Sequence, residues 1–189
     1  MGYIVVYEKS NGKVLHCMSI PMEFYNNAAA HQDYIEVDYF TFEKASCVEG
    51  YVDRGEWYAA EGKPDENHIY DYDLKDWIDP RTLDEIKAQR WTEIKYERDS
   101  LEFGGFEYKG NVYDSDQGSQ GRIMGAAAAS MDQVWTLAGN TTVNLTAMQL
   151  QQLYAALQAH IASVHERGRI TRQLIYDAET KDQVEAINL

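Results

Sequence analysis

The sequence predicts an α+β protein with a small N-terminal antiparallel β-domain, an acidic linker, and a C-terminal domain of helices interleaved with β-hairpins. The last of these helices is long. The first 60 residues contain runs of strand formers, and glycine-containing turn signals separate these runs. After residue 80, apolar side chains recur at the spacing of one helix face. The predicted boundaries are therefore residues 1–60, 61–80 and 81–189.

The N-terminal region is predicted to form four or five strands. Residues 3–7 and 14–20 are strand formers, joined by the turn Ser10-Asn11-Gly12-Lys13, in which Asn-Gly accepts positive φ. A further strand is predicted over residues 34–42, where acidic and apolar side chains alternate through Val37. A second hairpin around an Asp-Arg-Gly turn is predicted over residues 49–59.

Residues 61–80 are predicted to be the linker. Pro64 and Pro80 flank a segment with six acidic side chains. Residues 1–80 contain 16 acidic and 6 basic side chains, so they carry most of the net charge of −14. Charge repulsion and proline stiffness favour an extended, exposed segment.

The C-terminal domain is predicted to begin with a helix that follows Asp79-Pro80. The aspartate caps this helix, the proline occupies its first turn, and it ends near Arg98. A hairpin that turns at Lys109-Gly110-Asn111 follows. The apolar face of the helix consists of Leu83, Ile86, Trp91 and Ile94.

Two further helices and another hairpin complete this domain. Asp114-Ser115-Asp116 is predicted to cap the second helix, the hairpin turns at Ala138-Gly139-Asn140, and Thr146 caps the long last helix. We expect Trp91 and Trp135 to be buried. The last helix has apolar residues three or four positions apart, as in a coiled coil; this Leu150 seam is Leu150, Leu153, Leu157, Ile161 and Val164.

Charge and hydropathy exclude two classes of partner. The net charge of −14 repels the phosphates of nucleic acids, whose binding needs clustered Lys and Arg. No apolar run approaches the roughly 20 residues that span a bilayer, and the N-terminus lacks a signal-peptide pattern, so we expect no membrane insertion and a chain made in a cytosol. Cys17 and Cys47 form no metal-binding motif and are predicted to be small buried residues in strands.

The sequence offers no motif for catalysis or for a cofactor. The histidines are scattered, and neither HExxH, a GxSxG elbow nor a glycine-rich phosphate loop is present. A non-enzymatic protein without a cofactor or a metal is therefore predicted. Asp71, Asp73, Asp76 and Asp79 could bind calcium, but they lack the loop spacing of a calcium site, and a solvated linker explains them as well.

Aromatic side chains around the linker are candidates for contact with a partner. Tyr70, Tyr72 and Trp77, with Trp57 and Tyr58 nearby, could stack on a sugar or anchor a partner protein. The alternative is that they pack the linker on a flanking domain.

Five groups of residues in the C-terminal half carry a family resemblance. They are Arg90-Trp91 with Ile94-Lys95 and Glu97-Arg98, Phe103-Gly104-Gly105-Phe106, Tyr113-Asp114-Ser115-Asp116, Gln120 with Arg122 and Ile123, and Trp135-Thr136-Leu137 followed by Asn140-Thr141. From about residue 90 to residue 178 the sequence resembles an uncharacterised domain family found at the C-termini of bacteriophage tail-fibre and other phage tail proteins. That resemblance supplies no catalytic residues.

The resemblance implies a non-enzymatic structural component of a tailed bacteriophage virion, in a tail fibre, tail tip or baseplate, that serves assembly or host attachment. The implied partners are other phage tail proteins, a host surface receptor, and further copies of this chain in a homo-oligomer. A trimer fits the symmetry of phage fibres, with the Leu150 seam at or near its axis; the alternative is that the seam packs on its own chain. The implied location is the virion tail, after assembly in the host bacterial cytoplasm. The alternative functions are a tail-fibre assembly chaperone and a small glycan-binding module.

Overall fold

The computed structural model of the protein describes residues 2–21 and 31–189. The predicted α+β class is confirmed, since five helices and several small antiparallel sheets lie in these residues. The chain divides into two compact units, unit 1 (Met1–Arg81) and unit 2 (Thr82–Leu189). None of the described helices is both long and apolar enough to cross a membrane.

Unit 1 contains a three-stranded antiparallel sheet. Its strands are β1 (Gly2–Glu8), β2 (Val14–Ile20) and β3 (Gln32–Val37), in the order β2-β1-β3. The central strand β1 has three consecutive buried residues, because it is covered on both faces. The first predicted hairpin is confirmed, and Gly12 takes the positive φ of 79° that its turn requires.

A helix replaces part of the strand predicted over residues 34–42. Asp38 ends β3, and its carboxylate accepts a hydrogen bond from the Thr41 backbone N–H at 2.7 Å, which caps α1 (Tyr39–Cys47). The strand prediction is wrong beyond Val37 because the aspartate offers the backbone this alternative partner. Cys47 consequently ends a helix and is exposed, contrary to the buried strand position predicted for it.

The predicted hairpin over residues 49–59 is confirmed. Strands β4 (Gly50–Asp53) and β5 (Glu56–Ala59) pair in antiparallel register, and Arg54 and Gly55 both take positive φ at the turn.

The predicted extended linker instead contains a third hairpin, formed by β6 (Ile69–Asp71) and β7 (Asp76–Ile78). The Asp71 carboxylate accepts hydrogen bonds from the backbone N–H groups of Asp73 and Leu74, at 2.9 Å each. The prediction of an extended, exposed segment rested on charge repulsion and proline stiffness, and it is wrong for residues 69–78. Local hydrogen bonds of the aspartates and the burial of Tyr70 stabilise the turn instead.

Unit 2 begins with α2 (Leu83–Phe103), which starts and ends later than predicted. Thr82 and Glu85 form a reciprocal capping box at its start. Asp79, the predicted cap, instead accepts a hydrogen bond from the Arg81 guanidinium at 2.8 Å. The capping box satisfies two backbone donors, so it determines the helix start.

The remaining elements of unit 2 alternate as predicted. Asp116 caps α3 and Thr146 caps α4, as expected from sequence. Lys109 and Gly110 both take the positive φ of a tight hairpin turn. In chain order the elements are β8 (Phe106–Tyr108), β9 (Asn111–Tyr113), α3 (Gln117–Ala129), β10 (Gln133–Thr136), β11 (Thr142–Leu145), α4 (Ala147–Asp177) and the short α5 (Lys181–Glu185).

Two apolar clusters form the core of unit 2. The larger cluster joins the N-terminal half of α4 to α3 and both hairpins, and Trp135 packs on its edge. The smaller cluster joins Ile86 and Ile94 of α2 to the C-terminal end of α4 and to α5, with Trp91 on its edge. Both tryptophans are therefore half-buried and not fully buried as predicted, because each lies at the rim of a cluster.

Candidate functional site

The Leu150 seam is the first set of predicted contact residues, and the structure places it inside unit 2. Leu150, Leu153 and Leu157 are fully buried, and Val164 is 4% exposed. Ile161 is partly buried and packs against the larger core cluster. Leu150, Leu153 and Leu157 pack on α3 and the two hairpins of their own chain, as in the alternative to a trimer axis along the seam. The prediction of a contact role for the seam is corrected accordingly.

The second set of predicted contact residues comes together in unit 1 as an aromatic cluster of Tyr51, Tyr58, Tyr70, Tyr72 and Trp77. Tyr70 lies at its centre and is 8% exposed. Its ring stacks on Tyr51 at 5.8 Å and meets the edges of Tyr72 at 5.1 Å and Trp77 at 5.4 Å. Edge-to-face and offset contacts at these separations are the favourable arrangements of aromatic pairs. The hairpin β6–β7 is thereby packed on β4–β5.

Three lysines of this acidic unit lie over the rings of the aromatic cluster. The ammonium of Lys75 is 4.1 Å from the Tyr51 ring centre, and it also donates a hydrogen bond to the Asn11 carbonyl at 3.3 Å. Lys13 lies over Tyr72, and Lys63 lies over Trp77. Cations within about 6 Å of a ring are attracted by its π electrons. Lysine ammonium groups thus lie beside three rings of the cluster.

The predicted contact residues therefore divide into two kinds. Tyr70 is an interior residue. This agrees with the alternative prediction that the aromatic side chains pack the linker on a flanking domain. Tyr72 and Trp77 are half-buried and keep an exposed edge, while the Trp77 indole N–H is held by the Glu61 carbonyl at 3.1 Å. Their fixed orientation suits contact with a partner, because little side-chain freedom remains to be lost.

Two phenols of the cluster are poor acids. Burial, and secondly the neighbouring Tyr51 phenol, raise the pKa of Tyr70 to about 12. Burial, followed by the hydrogen bond that the Tyr72 hydroxyl donates to Glu49 at 3.0 Å, raises the pKa of Tyr72 to about 12. The cluster is therefore stable only while these phenols keep their protons.

We expect unit 1 to lose stability as the pH rises from about 10 to about 12. A phenol whose folded pKa lies above the ordinary value of 10.0 contributes its full stabilisation below pH 10 and loses it as the pH passes through the folded pKa. Phenolate absorbance followed during an alkaline titration measures this effect. Tyr72→Phe should therefore remove one phenol from the late phase of the titration. Removal of an early-titrating phenol by Tyr72→Phe would contradict the packing described above.

The acidic residues considered for calcium have other uses. Asp71 accepts the turn hydrogen bonds of β6–β7, Asp76 accepts from the Trp77 backbone N–H at 2.8 Å, and Asp79 binds Arg81. Within residues 2–21 and 31–189, no group of three or more His, Cys, Asp or Glu side chains could hold a metal ion.

Unit 2 contains a cavity of about 430 Å³ that the sequence did not predict. Asp114, Arg122, Trp135 and Asn140 line it, and they come from three parts of the unit. All four belong to the motifs that carry the family resemblance. Their membership in those motifs was the one sequence feature that they share. Their spacing follows neither a helix nor a strand period, so it does not predict that they line one cavity.

Other motif residues hold unit 2 together. Ser115 is fully buried; its hydroxyl accepts from the Gly105 backbone N–H at 2.9 Å and donates to the Glu102 carbonyl at 2.5 Å. The Arg90 guanidinium donates to the Ile187 carbonyl at 2.8 Å. These contacts join segments that are far apart in the sequence.

Fold and site together define an α+β protein of two compact units, with an aromatic cluster in the first and a polar cavity in the second. The chain belongs to the family described as Domain of unknown function (DUF4376), whose model matches residues 85–188, more than half of the chain. This match covers the region that the motifs assigned to an uncharacterised domain family. Comparisons with curated proteins and with solved structures gave no match.

Proposed function

We propose that this protein is a non-enzymatic structural component of the tail of a tailed bacteriophage, in a fibre, tail tip or baseplate. The observation that carries the proposal is the membership of unit 2 in its domain family. The motifs of that unit resemble the C-terminal ends of phage tail proteins. Its role there is in assembly or in host attachment.

The use that unit 2 makes of its motif residues supports a structural role. Ser115 ties the end of α2 to the entry of α3, and Arg90 holds the last residues of the chain on α2. Asp116 caps α3 by accepting from the backbone N–H groups of Gly118 and Ser119. Motif residues that make such hydrogen bonds hold the elements of unit 2 in place. They therefore specify a rigid scaffold that can present a contact surface.

The aromatic cluster is our proposed contact surface for other tail proteins. Tyr58, Tyr72 and Trp77 belong to the two short hairpins β4–β5 and β6–β7 of unit 1. Lys13 lies over the Tyr72 ring, and Lys63 lies over the Trp77 ring. Aromatic side chains are enriched in interfaces. The lysines lie on the same surface as Glu49 and Glu56, which accept hydrogen bonds from the Tyr72 and Tyr58 hydroxyls, so the surface offers charges of both signs to a partner. A homo-oligomer, with a trimer as the form proposed, would have to use a surface other than the Leu150 seam.

Mass spectrometry of purified virions tests the proposal. Peptides of this chain should be found in gradient-purified particles at an abundance comparable to that of other tail proteins. The phage's own capsid protein is the positive control, and a phage replication enzyme is the negative control. Peptides present in infected-cell lysate but absent from virions would overturn the proposal and favour the assembly-chaperone alternative.

A further inference from the structure

The cavity of unit 2 is lined by polar side chains that make few hydrogen bonds within the protein. Asp114 lies between β9 and α3, Arg122 lies on α3, and Gln133, Trp135 and Asn140 come from β10 and the turn that follows it. At about 430 Å³ the cavity is within the roughly 300–1,000 Å³ of small-molecule sites. We name it the Trp135 cavity.

The polar groups of the Trp135 cavity are largely uncommitted. Among the described residues, the side chains of Asp114, Gln133 and Asn140 have no hydrogen-bond partner. Arg122 donates through one nitrogen to the Ser119 hydroxyl at 2.7 Å, which leaves most of its N–H groups free to donate elsewhere. The Ser119 hydroxyl donates in turn to the Asp116 carboxylate, so the serine that holds the guanidinium is itself fixed. The cavity therefore presents acceptors, donors and amides side by side.

One wall of the cavity is apolar and rigid. The Trp135 side chain is half-buried, and it packs against the larger core cluster of unit 2. Its backbone pairs with Val143 across the β10–β11 hairpin. Because Trp135 also lines the cavity, it contributes apolar surface beside the polar groups.

The charges of the lining select among ligand classes. One carboxylate and one guanidinium give the cavity no net charge. A phosphate would meet the Asp114 carboxylate, and a polyamine would meet the Arg122 guanidinium, so each would suffer repulsion. An apolar ligand would remove water from four polar side chains without replacing their hydrogen bonds. A neutral polyhydroxylated ring can donate to the carboxylate, accept from the guanidinium and place its C–H face on the indole.

We propose that the Trp135 cavity is a binding site for a neutral saccharide unit. Asp114 accepts hydrogen bonds from its hydroxyl groups, Arg122 donates to its oxygens, and Trp135 supports the ring. Asn140 and Gln133, which can both donate and accept, determine which saccharide fits. This assignment rests on the lining alone and is independent of the place of the protein in a virion.

Direct binding to the purified full-length protein tests the assignment. The probes are neutral hexoses, 6-deoxyhexoses and N-acetylhexosamines, measured by saturation-transfer NMR and titration calorimetry. At least one should bind the wild-type protein, and Asp114→Ala should weaken that binding about tenfold or more, because a hydrogen bond to a charged group is lost. Arg122→Ala should have a similar effect.

The controls separate lost binding from lost folding. Asp114 is exposed and has no partner among the described residues, so its replacement should leave the melting temperature unchanged. Glu107→Ala removes an exposed carboxylate of the same unit outside the cavity and should leave saccharide binding unchanged. Absence of binding across the whole panel would overturn the assignment. So would binding that survives Asp114→Ala, or a preference of the cavity for zwitterionic amino acids over saccharides.

Discussion

Replacing Leu157 with alanine should lower the free energy of unfolding of unit 2 by about 3–5 kcal/mol. Leu157 is fully buried in the larger core cluster, where α4 meets α3 and the two hairpins. The substitution removes apolar contacts and leaves a cavity that the surrounding side chains fill only in part. Denaturant unfolding followed by the far-ultraviolet circular dichroism of the helices measures the loss.

The same helix provides a matched control for Leu157. Leu174 is 52% exposed, so Leu174→Ala should cost less than about 1 kcal/mol. A second variant, Leu157→Asp, distinguishes a core position from a position in an oligomer interface. An unpaired charge at a buried site should unfold unit 2, whereas an interface position would give folded monomers by light scattering. Folded Leu157→Asp monomers would contradict the burial of this residue within its own chain.

Gly12→Ala should destabilise unit 1 by roughly 3 kcal/mol or more. Two costs act together at this turn between β1 and β2. Gly12 has φ of 79°, a conformation that alanine adopts only with strain, and an added Cβ would lie 2.1 Å from the Val52 carbonyl oxygen. Val52 cannot retreat easily, because its backbone N–H donates to the Gly12 carbonyl at 2.8 Å. Hydrogen exchange of peptides from residues 2–20 and 50–59 measures the loss in unit 1 alone.

Gly55 separates the two costs at Gly12. Its φ is 84°, but an added Cβ would meet nothing within 4 Å. Gly55→Ala should therefore carry only the conformational cost, about 1–2 kcal/mol. Equal losses in the two variants would show that the close approach to Val52 contributes nothing.

The predictions that succeeded rest on signals that are local in the sequence. Lys109-Gly110 and Arg54-Gly55 specify their turns through backbone preference alone, and Thr146 caps α4 through a residue three positions ahead. Such signals act on the same scale as the element that they form, so they can be recognised without knowledge of the fold.

The predictions that failed depend on contacts between distant residues. The hairpin β6–β7 is stabilised by the stacking of Tyr70 on Tyr51, which no local pattern around residue 70 reveals. The spacing of the Leu150 seam correctly marked an apolar face, but spacing cannot say whether that face meets another chain or its own hairpins. The strand prediction failed at Asp38 for a different reason. The alternating pattern before Asp38 predicts a strand, whereas Asp38 itself can cap a helix, and the sequence does not show which of the two prevails.

The candidate sites show the same division. Tyr70, Tyr72 and Trp77 lie within eight positions of one another, and the sequence could group them as one surface. Asp114, Arg122 and Asn140 lie on different elements of unit 2, so the cavity that they share appears only in three dimensions.

The bonds that join α2 to the end of the chain have a consequence for synthesis. Arg90 donates to a carbonyl 97 positions later, and Lys87 donates to one 89 positions later. The strand pairs described in unit 1 all lie within residues 2–78, so that unit can form as soon as residue 81 has left the ribosome. The apolar face of α2 stays uncovered until residues 175–187, which pack on it, have been synthesised. During synthesis, unit 1 should therefore be folded while α2 still exposes its apolar face. A chaperone would recognise that exposed apolar surface.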